Sequence, residues 1–453
     1  MTVLILRGLL GVAVLLGVAW LLSTDRKRVP WRVIGWGMGL QLGLAVVLLG
    51  TGAGDQVLAS VAKGVQEFVS VNTFGAGMLF NDLADPAREL PGLPGVPGAG
   101  FLFAFAATGL LVIIFFSALM SILYNLGIMQ LLIWCLARVM MVTMGVSGAE
   151  AMAMAANLFV GQTESPLVVK PYIEKMTLSE LNAMMTGGFA TVAGSVLVVY
   201  LGYLGPEIGV HLLTASVLSA PAAFVIAKII VPETQAAATA GHVELKIKRE
   251  AHNLIEAATN GTQDGLKLYL NVIAMLLAFT ALVQLVNWPL GEIGAVVFDG
   301  MALPTVDAAT GQVTDAGNPL SLAKIFGWVL APLAWCIGVG NWADCQLFGS
   351  LIGLKLTTNE FVAFGQMLEY VKPVAEGVAA DAGGLRFASE RSAKMAAYAL
   401  CGFANFASIG IQIGGISPLA PGRKTDLSRL ALRAMLGGAL ASACTAAVAG
   451  MFL

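Results

Sequence analysis

Three features of this chain predict an all-α polytopic membrane protein with eight transmembrane spans, two opposed re-entrant hairpins, inverted repeats and interfacial helices. The first is composition. The 453 residues are 58% hydrophobic and only 11% charged, against about 25% charged in ordinary soluble domains. So few charges cannot solvate a soluble exterior of this size, and much of the surface must meet lipid. The second is a recurrence of apolar runs of about 20 residues, the length that crosses the hydrocarbon layer. They fall at 3–22, 33–52, 102–124, 182–204, 209–231, 266–287, 396–418 and 431–453. The third is a duplication. Gly188-Phe189-Ala190-Thr191-Val192-Ala193 and Gly402-Phe403-Ala404-Asn405-Phe406-Ala407 each follow a polar cluster with one glutamate. Those clusters are Gly161-Gln162-Thr163-Glu164-Ser165-Pro166 and Thr357-Thr358-Asn359-Glu360-Phe361. Duplicated halves of this kind meet around a polar ligand in transporter cores.

Other classes fall away on composition. A net charge of −2 gives no electrostatic footprint for nucleic acid. Cys135, Cys336, Cys345, Cys401 and Cys444 form no CxxC pair and read as buried thiols. His211, His242 and His252 lack zinc spacing. There is no HExxH pair, GxSxG elbow or P-loop, so the sequence is read as that of a non-enzyme with no organic cofactor. The 53 glycines suit close helix packing and interrupted helices.

The N-terminal run has no small-residue cleavage site before Arg26-Lys27-Arg28 and is read as a retained first span. Arg26, Lys27, Arg28 and Arg32 place the loop after it in the cytoplasm and the N-terminus outside. The second span returns outward to an amphipathic stretch around 55–80 and a Pro/Gly-rich turn from Pro91 to Gly100. The third span goes in and is followed by an interfacial helix carrying Arg138. From Gly145 to Ile173 the apolar pattern is interrupted by Asn157 and by Gly161 to Pro166. We read this as a re-entrant hairpin, since irregular backbone at depth is tolerated only inside protein or beside water.

Spans four and five cross out and back to Lys246, Lys248 and Arg249, and span six leads to a loop, 288–319, without Lys or Arg. Residues 320–337 could cross the membrane on composition alone. Treating them as an interfacial helix, with Asn341 to Phe364 as a second hairpin, keeps Arg423, Lys424, Arg429 and Arg433 inside. Lys372, Arg386, Arg391 and Lys394 then face outward, and both termini lie outside. The hairpins are three crossings apart, so the two copies are inverted. The expected divisions are scaffold 1–125, first transport repeat 126–235, linker with span six 236–319, and second transport repeat 320–453.

An ionised carboxylate at membrane depth is costly unless it is hydrogen-bonded or faces water. Lys170 and Lys355 each lie more than one helical turn from Glu164 and Glu360 in sequence. Gln162, Thr163, Thr358 and Asn359 add directional donors and acceptors, a mixture suited to a neutral, hydroxylated ligand. The alternative is a pair of polar patches that only hold the hairpin tips together. Glu150 beside Gly148 reads as a helix cap or interfacial charge. Gly188 and Gly194, and Gly402, Gly410, Gly414 and Gly415, weaken spans four and seven at mid-membrane. Carbonyls freed there can face a cation or ligand.

At these residues the chain resembles the concentrative nucleoside transporters, specifically their bacterial sodium-coupled members. The resemblance rests on Gly161-Gln162-Thr163-Glu164-Ser165-Pro166-Leu167, on Asn359-Glu360-Phe361-Val362-Ala363, and on Tyr398 to Phe406 and onward to Gly415. It covers nearly the whole chain from residue 30. It implies a homotrimer in a bacterial inner membrane that imports nucleosides with sodium by alternating access. A proton-coupled symporter, with Glu164 titrating, is the competing expectation. By motif it implies that Gln162, Thr163 and Glu164 meet the nucleobase, and that Glu360, Asn405 and Ser408 hold the ribose. Val196 and Phe403 would supply apolar contacts. Sodium is expected between Asn157, Thr191 and the carbonyls of Val160 and Val192. The segments near 297–318 and 373–386 are longer than the family core.

Overall fold

The computed structural model describes residues 2–52, scattered positions from 54 to 71, 108–241, 251–297, 305–306, 313–314, 320–371 and 386–453. The segments around 55–80, 91–100, 246–249, 297–318 and 373–385, singled out above, lie wholly or largely outside these residues. Span one is Thr2–Leu21, span two Trp31–Leu49 and span three Thr108–Leu126. Gly127, at φ +83°, then bends the chain by 78° into the helix Ile128–Met144. A left-handed φ suits glycine because no Cβ opposes it. Gly145, at φ +71°, ends that helix and starts the first hairpin.

Hairpin one is built from Gly148–Asn157, a non-helical tip, and two short helices, Ser165–Val168 and Lys170–Ile173. Span four begins as Leu178–Ala190, breaks at residues 191–193 and resumes at Gly194. The helical residues Gly194–Ile230 hold the end of span four and all of span five. The two are antiparallel. A Cβ on Gly209 would lie 3.4 Å from the Cα of Leu201, whereas a straight helix separates such positions by about 12 Å. Span six lies within Leu254–Val297. Beyond it, Thr305–Val306 and Val313–Thr314 pair as a two-residue antiparallel ladder.

The 320–337 stretch forms a helix of 15 residues, Leu322–Cys336. At 1.5 Å per residue it is about 22 Å long, short of the roughly 30 Å hydrocarbon core. The interfacial reading therefore holds. Hairpin two follows as Trp342–Thr357 and Glu360–Val371. Span seven is split into Glu390–Leu400 and Phe406–Ile416, and span eight is Lys424–Ala449. Six described helices are long and apolar enough to cross a membrane. The bent span three and the broken span seven bring the number to eight.

Hydrogen bonds show that the hairpins open at opposite ends of the bundle. Near the base of hairpin one, Arg32 Nε donates to the Thr143 carbonyl at 3.2 Å, and Thr24 N–H to the Ile230 carbonyl at 2.9 Å. Near the base of hairpin two, Arg7 Nη2 donates to the Val339 carbonyl at 2.9 Å, and Arg391 Nη1 to the Gly338 carbonyl at 2.7 Å. Span one joins the two ends, with Arg7 at one and Thr24 just beyond the other. The copies are inverted. Span four is entirely buried within the protein and span five nearly so, while the described part of span six is only 6% buried. The packed centre is thus the hairpins with spans four, five, seven and eight.

The base of hairpin one is locked by reciprocal capping boxes. Ser147 and Glu150 cap Gly148–Asn157, and Thr177 and Glu180 cap Leu178–Ala190. Each satisfies backbone N–H groups that helix geometry leaves unpaired. Glu150, read from sequence as a cap, also takes a buried ion pair from Lys228 at 2.7 Å. Lys228 Nζ further donates to Ser179 Oγ at 3.0 Å and lies 3.5 Å from Glu233. Removing one member of a buried pair strands the other charge, at about 3–5 kcal/mol. Lys228→Ala should lower stability by that amount in thermal unfolding of the detergent-purified protein. Pairing Lys228→Met with Glu150→Gln should recover most of the loss.

Candidate functional site

Four interruptions of helical backbone meet at mid-bundle: the two hairpin tips and the breaks in spans four and seven. At tip one, the N–H groups of Glu164 and Ser165 both donate to the Gly161 carbonyl at 3.0 Å, forming a tight turn. Gly161 N–H donates to Glu164 Oε2 at 3.3 Å. Gln162 is buried, whereas Glu164 is exposed to open space. At tip two, Glu360 is buried and satisfied on both oxygens. Tyr200 OH donates to Oε1 at 2.8 Å, and Asn405 Nδ2 to Oε2 at 3.2 Å. The two glutamates, alike in sequence, stand in opposite environments.

Both tips converge on the second half of span seven. Asn405 Oδ1 caps its first turn by accepting from Ser408 N–H at 2.8 Å. Two turns on, Gln412 Nε2 donates to Gln162 Oε1 at 3.0 Å and to the Met185 carbonyl at 3.1 Å. Gly415 lies against Thr163, whose Cγ2 would be 2.6 Å from an added Cβ. From Asn405 to Gln412 is about 10 Å of helix, with tip two at one end and tip one at the other. Val196 is buried in the first turn after the span-four break, and Phe403 is half-buried in the span-seven break.

The residues expected at sodium also lie close together. Asn157 ends the first helix of hairpin one, and a Cβ on Gly187 would lie 3.1 Å from its Nδ2. Thr191 Oγ1 donates to the Gly187 carbonyl at 2.9 Å. Val160 follows Phe159, whose carbonyl accepts from Gly194 N–H at 3.1 Å, two residues past Val192. Asn157 is 1% exposed, and among the described residues neither side-chain polar atom has a hydrogen-bond partner. Native structures leave few buried polar atoms unpaired. An orphaned amide beside the end of a broken helix, where carbonyls are freed, is chemically suited to a hard monovalent cation.

Two residues in this region were missed by sequence reasoning, Tyr200 and Gln412; Lys355, weighed there only as a local counter-ion for Glu360, instead donates to the Ala399 and Cys401 carbonyls. Gln412 did carry a signal, as the one amide in Phe406-Ala407-Ser408-Ile409-Gly410-Ile411-Gln412-Ile413. Tyr200 carried none, because tyrosine is ordinary in an apolar span. The glycines also divide more sharply than composition suggests. Of those named above in span seven, only Gly402 sits in the break, at φ +112°, while Gly410, Gly414 and Gly415 are helical.

Family profiles match along the chain. A Na+-dependent nucleoside transporter C-terminal profile covers residues 211–450, the matching N-terminal profile covers 10–83, and a nucleoside-recognition gate profile covers 106–207. An uncharacterized transporter of Haemophilus influenzae is 38% identical, over 99% of this chain and 98% of its own length. The chain belongs to the Na+-dependent nucleoside transporter family. The members of this family are transporters and not enzymes. Solute carrier family 28 member 3 of Rattus norvegicus is 39% identical over 97% of this chain, which spans 58% of that longer protein. Among solved structures, CNTnw in an inward-facing substrate-bound state is 37% identical, with a TM-score of 0.84 over 99% of this chain and 98% of that one. A doubly substituted CNTnw in an outward-facing state gives 0.85, also at 37% identity, over 100% of this chain and 98% of that one.

Gly402 offers a direct test of how tightly the two breaks cross. A Cβ there would lie 2.6 Å from the Phe189 carbonyl oxygen and 2.8 Å from the Ala190 carbonyl carbon, both backbone. Gly402→Ala should cost more than the 1–2 kcal/mol of a left-handed residue alone, read as a drop in thermal stability. Gly410→Ala, with nothing within 4 Å of its Cβ, should be neutral or stabilising by up to about 1 kcal/mol.

Proposed function

We propose that this protein is a sodium-coupled secondary active importer of nucleosides that works by alternating access. The observation that carries the reading is the meeting of two inverted hairpin tips over one short helix that presents Asn405, Ser408 and Gln412, beside an orphaned buried asparagine. Gln162, Thr163 and Glu164 bind the nucleobase, and the open carboxylate of Glu164 is free to accept from ligand N–H groups. Glu360, Asn405 and Ser408 bind the ribose. A carboxylate offers about four lone-pair positions, and Tyr200 and Asn405 take one each, so Glu360 keeps capacity for hydroxyls. Val196 and Phe403 line the apolar side. Sodium sits between Asn157, Thr191 and the carbonyls of Val160 and Val192.

Coupling then has a simple basis. Sodium orders the turn that follows Asn157, and that turn carries Gln162 and Glu164 to the nucleoside, so each ligand favours the other. The transport repeats, 126–235 and 320–453, move against spans one to three and span six. The low burial of spans one, two and six within one chain supports their facing lipid or sister protomers of a homotrimer. A bacterial inner membrane with both termini outside agrees with the basic loops at Arg26 to Arg32 and Arg423 to Arg433.

Uptake of labelled uridine and adenosine into proteoliposomes, under imposed sodium or proton gradients, tests the reading. A sodium gradient alone should drive accumulation. Full uptake without sodium under an inward proton gradient would replace sodium by protons, with Glu164 as the titrating group. Asn157→Ala and Thr191→Ala should each raise the sodium concentration for half-maximal uptake, with less effect on nucleoside affinity at saturating sodium. Glu360→Gln removes a charge-assisted acceptor worth roughly 1.5–3 kcal/mol and should weaken nucleoside binding about tenfold to a hundredfold. A nucleoside lacking the relevant ribose hydroxyl should lose affinity for the wild type and lose little more for Glu360→Gln. Equal further losses in both proteins would remove Glu360 from the sugar.

A further inference from the structure

The two repeats can be compared residue by residue at their breaks. The phrases beginning at Gly188 and Gly402 correspond, so Gly187 and Cys401, the residues just before them, occupy matching places. In the first repeat, Asn157 reaches this place from the last turn of the first hairpin helix. In the second repeat, the last turn of the matching helix, Trp342–Thr357, carries Lys355. Lys355 is 1% exposed. Its Nζ donates to the Cys401 carbonyl at 3.2 Å and to the Ala399 carbonyl at 3.1 Å. Ser442 Oγ adds a third donor, to the Cys401 carbonyl, at 2.7 Å.

A buried ammonium is costly unless its protons are accepted and its charge is offset. Among the described residues no carboxylate lies within ion-pair distance of Lys355. The offset comes from the C-terminal carbonyls of Glu390–Leu400, the negative end of a helix, together with the Glu360 carboxylate, which acts on Lys355 through space beyond ion-pair distance. The same two ingredients, freed carbonyls and a hairpin side chain, flank Asn157 in the first repeat. There the protein supplies a neutral amide with two unpaired atoms; here it supplies a positive charge with its donors engaged.

We propose that Lys355 is a tethered cation that holds hairpin two to the break in span seven, as sodium holds hairpin one to the break in span four. This rests on the sodium reading of Asn157 and Thr191. It assigns one exchangeable cation per transport cycle, in the first repeat only. The second repeat carries its charge permanently, so the ribose end of the site is preformed while the nucleobase end is assembled by the ion. Lys355 touches carbonyls rather than the ligand and acts as a positioning residue.

Three measurements on the full-length protein decide this. In wild-type proteoliposomes, the charge moved per neutral nucleoside should be one, with a Hill coefficient for sodium near one; two charges per nucleoside would overturn the proposal. Lys355→Met keeps the length and removes the charge. It should cut nucleoside affinity by about tenfold or more, as expected for a lost charged donor, whereas wild-type affinity would overturn the proposal. Lys355→Ala opens a space, and methylammonium should restore nucleoside affinity in it but not in Lys355→Met. An equal response in the two variants, or none in a folded Lys355→Ala protein, would also overturn it. If either variant fails to fold, the wild-type charge count decides. Wild-type uptake that needs no sodium would instead defeat the sodium reading itself, a result the Lys355→Met comparison does not produce.

Discussion

Inside a bilayer a backbone N–H or C=O has no water to turn to, and each one left unsatisfied costs several kcal/mol. That constraint governs this structure. Spans four and seven are both broken, at 191–193 and 401–405, and both hairpins turn at depth. Each interruption releases polar backbone where lipid could not receive it. The fold answers by bringing the interruptions together. The Phe159 carbonyl at tip one accepts from Gly194 at the span-four break, and Lys355 below tip two donates to the carbonyls at the span-seven break. The two breaks in turn cross at Gly402, where only a residue without a Cβ lets the Phe189 and Ala190 backbone approach. A polar site at the bundle centre is the consequence of satisfying four interruptions at once.

The repeats satisfy that constraint differently. Glu360 is buried with both oxygens engaged, by Tyr200 from span four and Asn405 from span seven. The Glu164 carboxylate accepts from the Gly161 N–H within its own turn and is otherwise exposed among the described residues. Among the described residues Asn157 has no partner for either polar atom, whereas Lys355 spends its donors on carbonyls. Glu360 at the second tip is thus satisfied by side chains from both repeats, while Asn157 at the first tip keeps unpaired polar atoms. The inverted repeat supplies matching geometry at the two ends of the bundle, and unequal side chains make the two tips chemically different.

Much of the fold was legible in the sequence, for reasons that can be stated. Apolar runs of span length report the spanning helices directly, including span four, which is buried within the protein. The clusters at Gln162 to Pro166 and Thr357 to Phe361 showed where helical backbone stops. The run 320–337 was the ambiguous case, because composition measures how apolar a segment is and not where its helix ends. In the structure the helix stops at Cys336, after 15 residues. The site was legible only in part. Glycine-rich sequence in span seven pointed to a break but could not separate Gly402, at φ +112°, from the helical Gly410 and Gly414. Gln412 meets Gln162 across 250 residues, and Tyr200 meets Glu360 across 160. Pairings at that separation are set by how the hairpins dock, which no local pattern encodes.

The same docking explains why the base of hairpin one is built so differently from its tip. At the base, Glu150, Glu180, Glu233 and Lys228 interlock with Ser147, Thr177 and Ser179, and two helix starts share their caps with neighbouring side chains. Such a network is rigid, since loosening any member exposes a buried charge. At the tip, ten residues from Glu150 to Val160 and beyond, the polar atoms of Asn157 are unclaimed and Glu164 is open. A hairpin anchored firmly at one end and under-satisfied at the other can change at its tip without changing its attachment. In the proposed sodium reading, binding energy gained at Asn157 goes into ordering the turn that carries Gln162 and Glu164, and not into moving the base. On that reading, the division of stiffness couples an ion and an organic ligand bound on two sides of one turn.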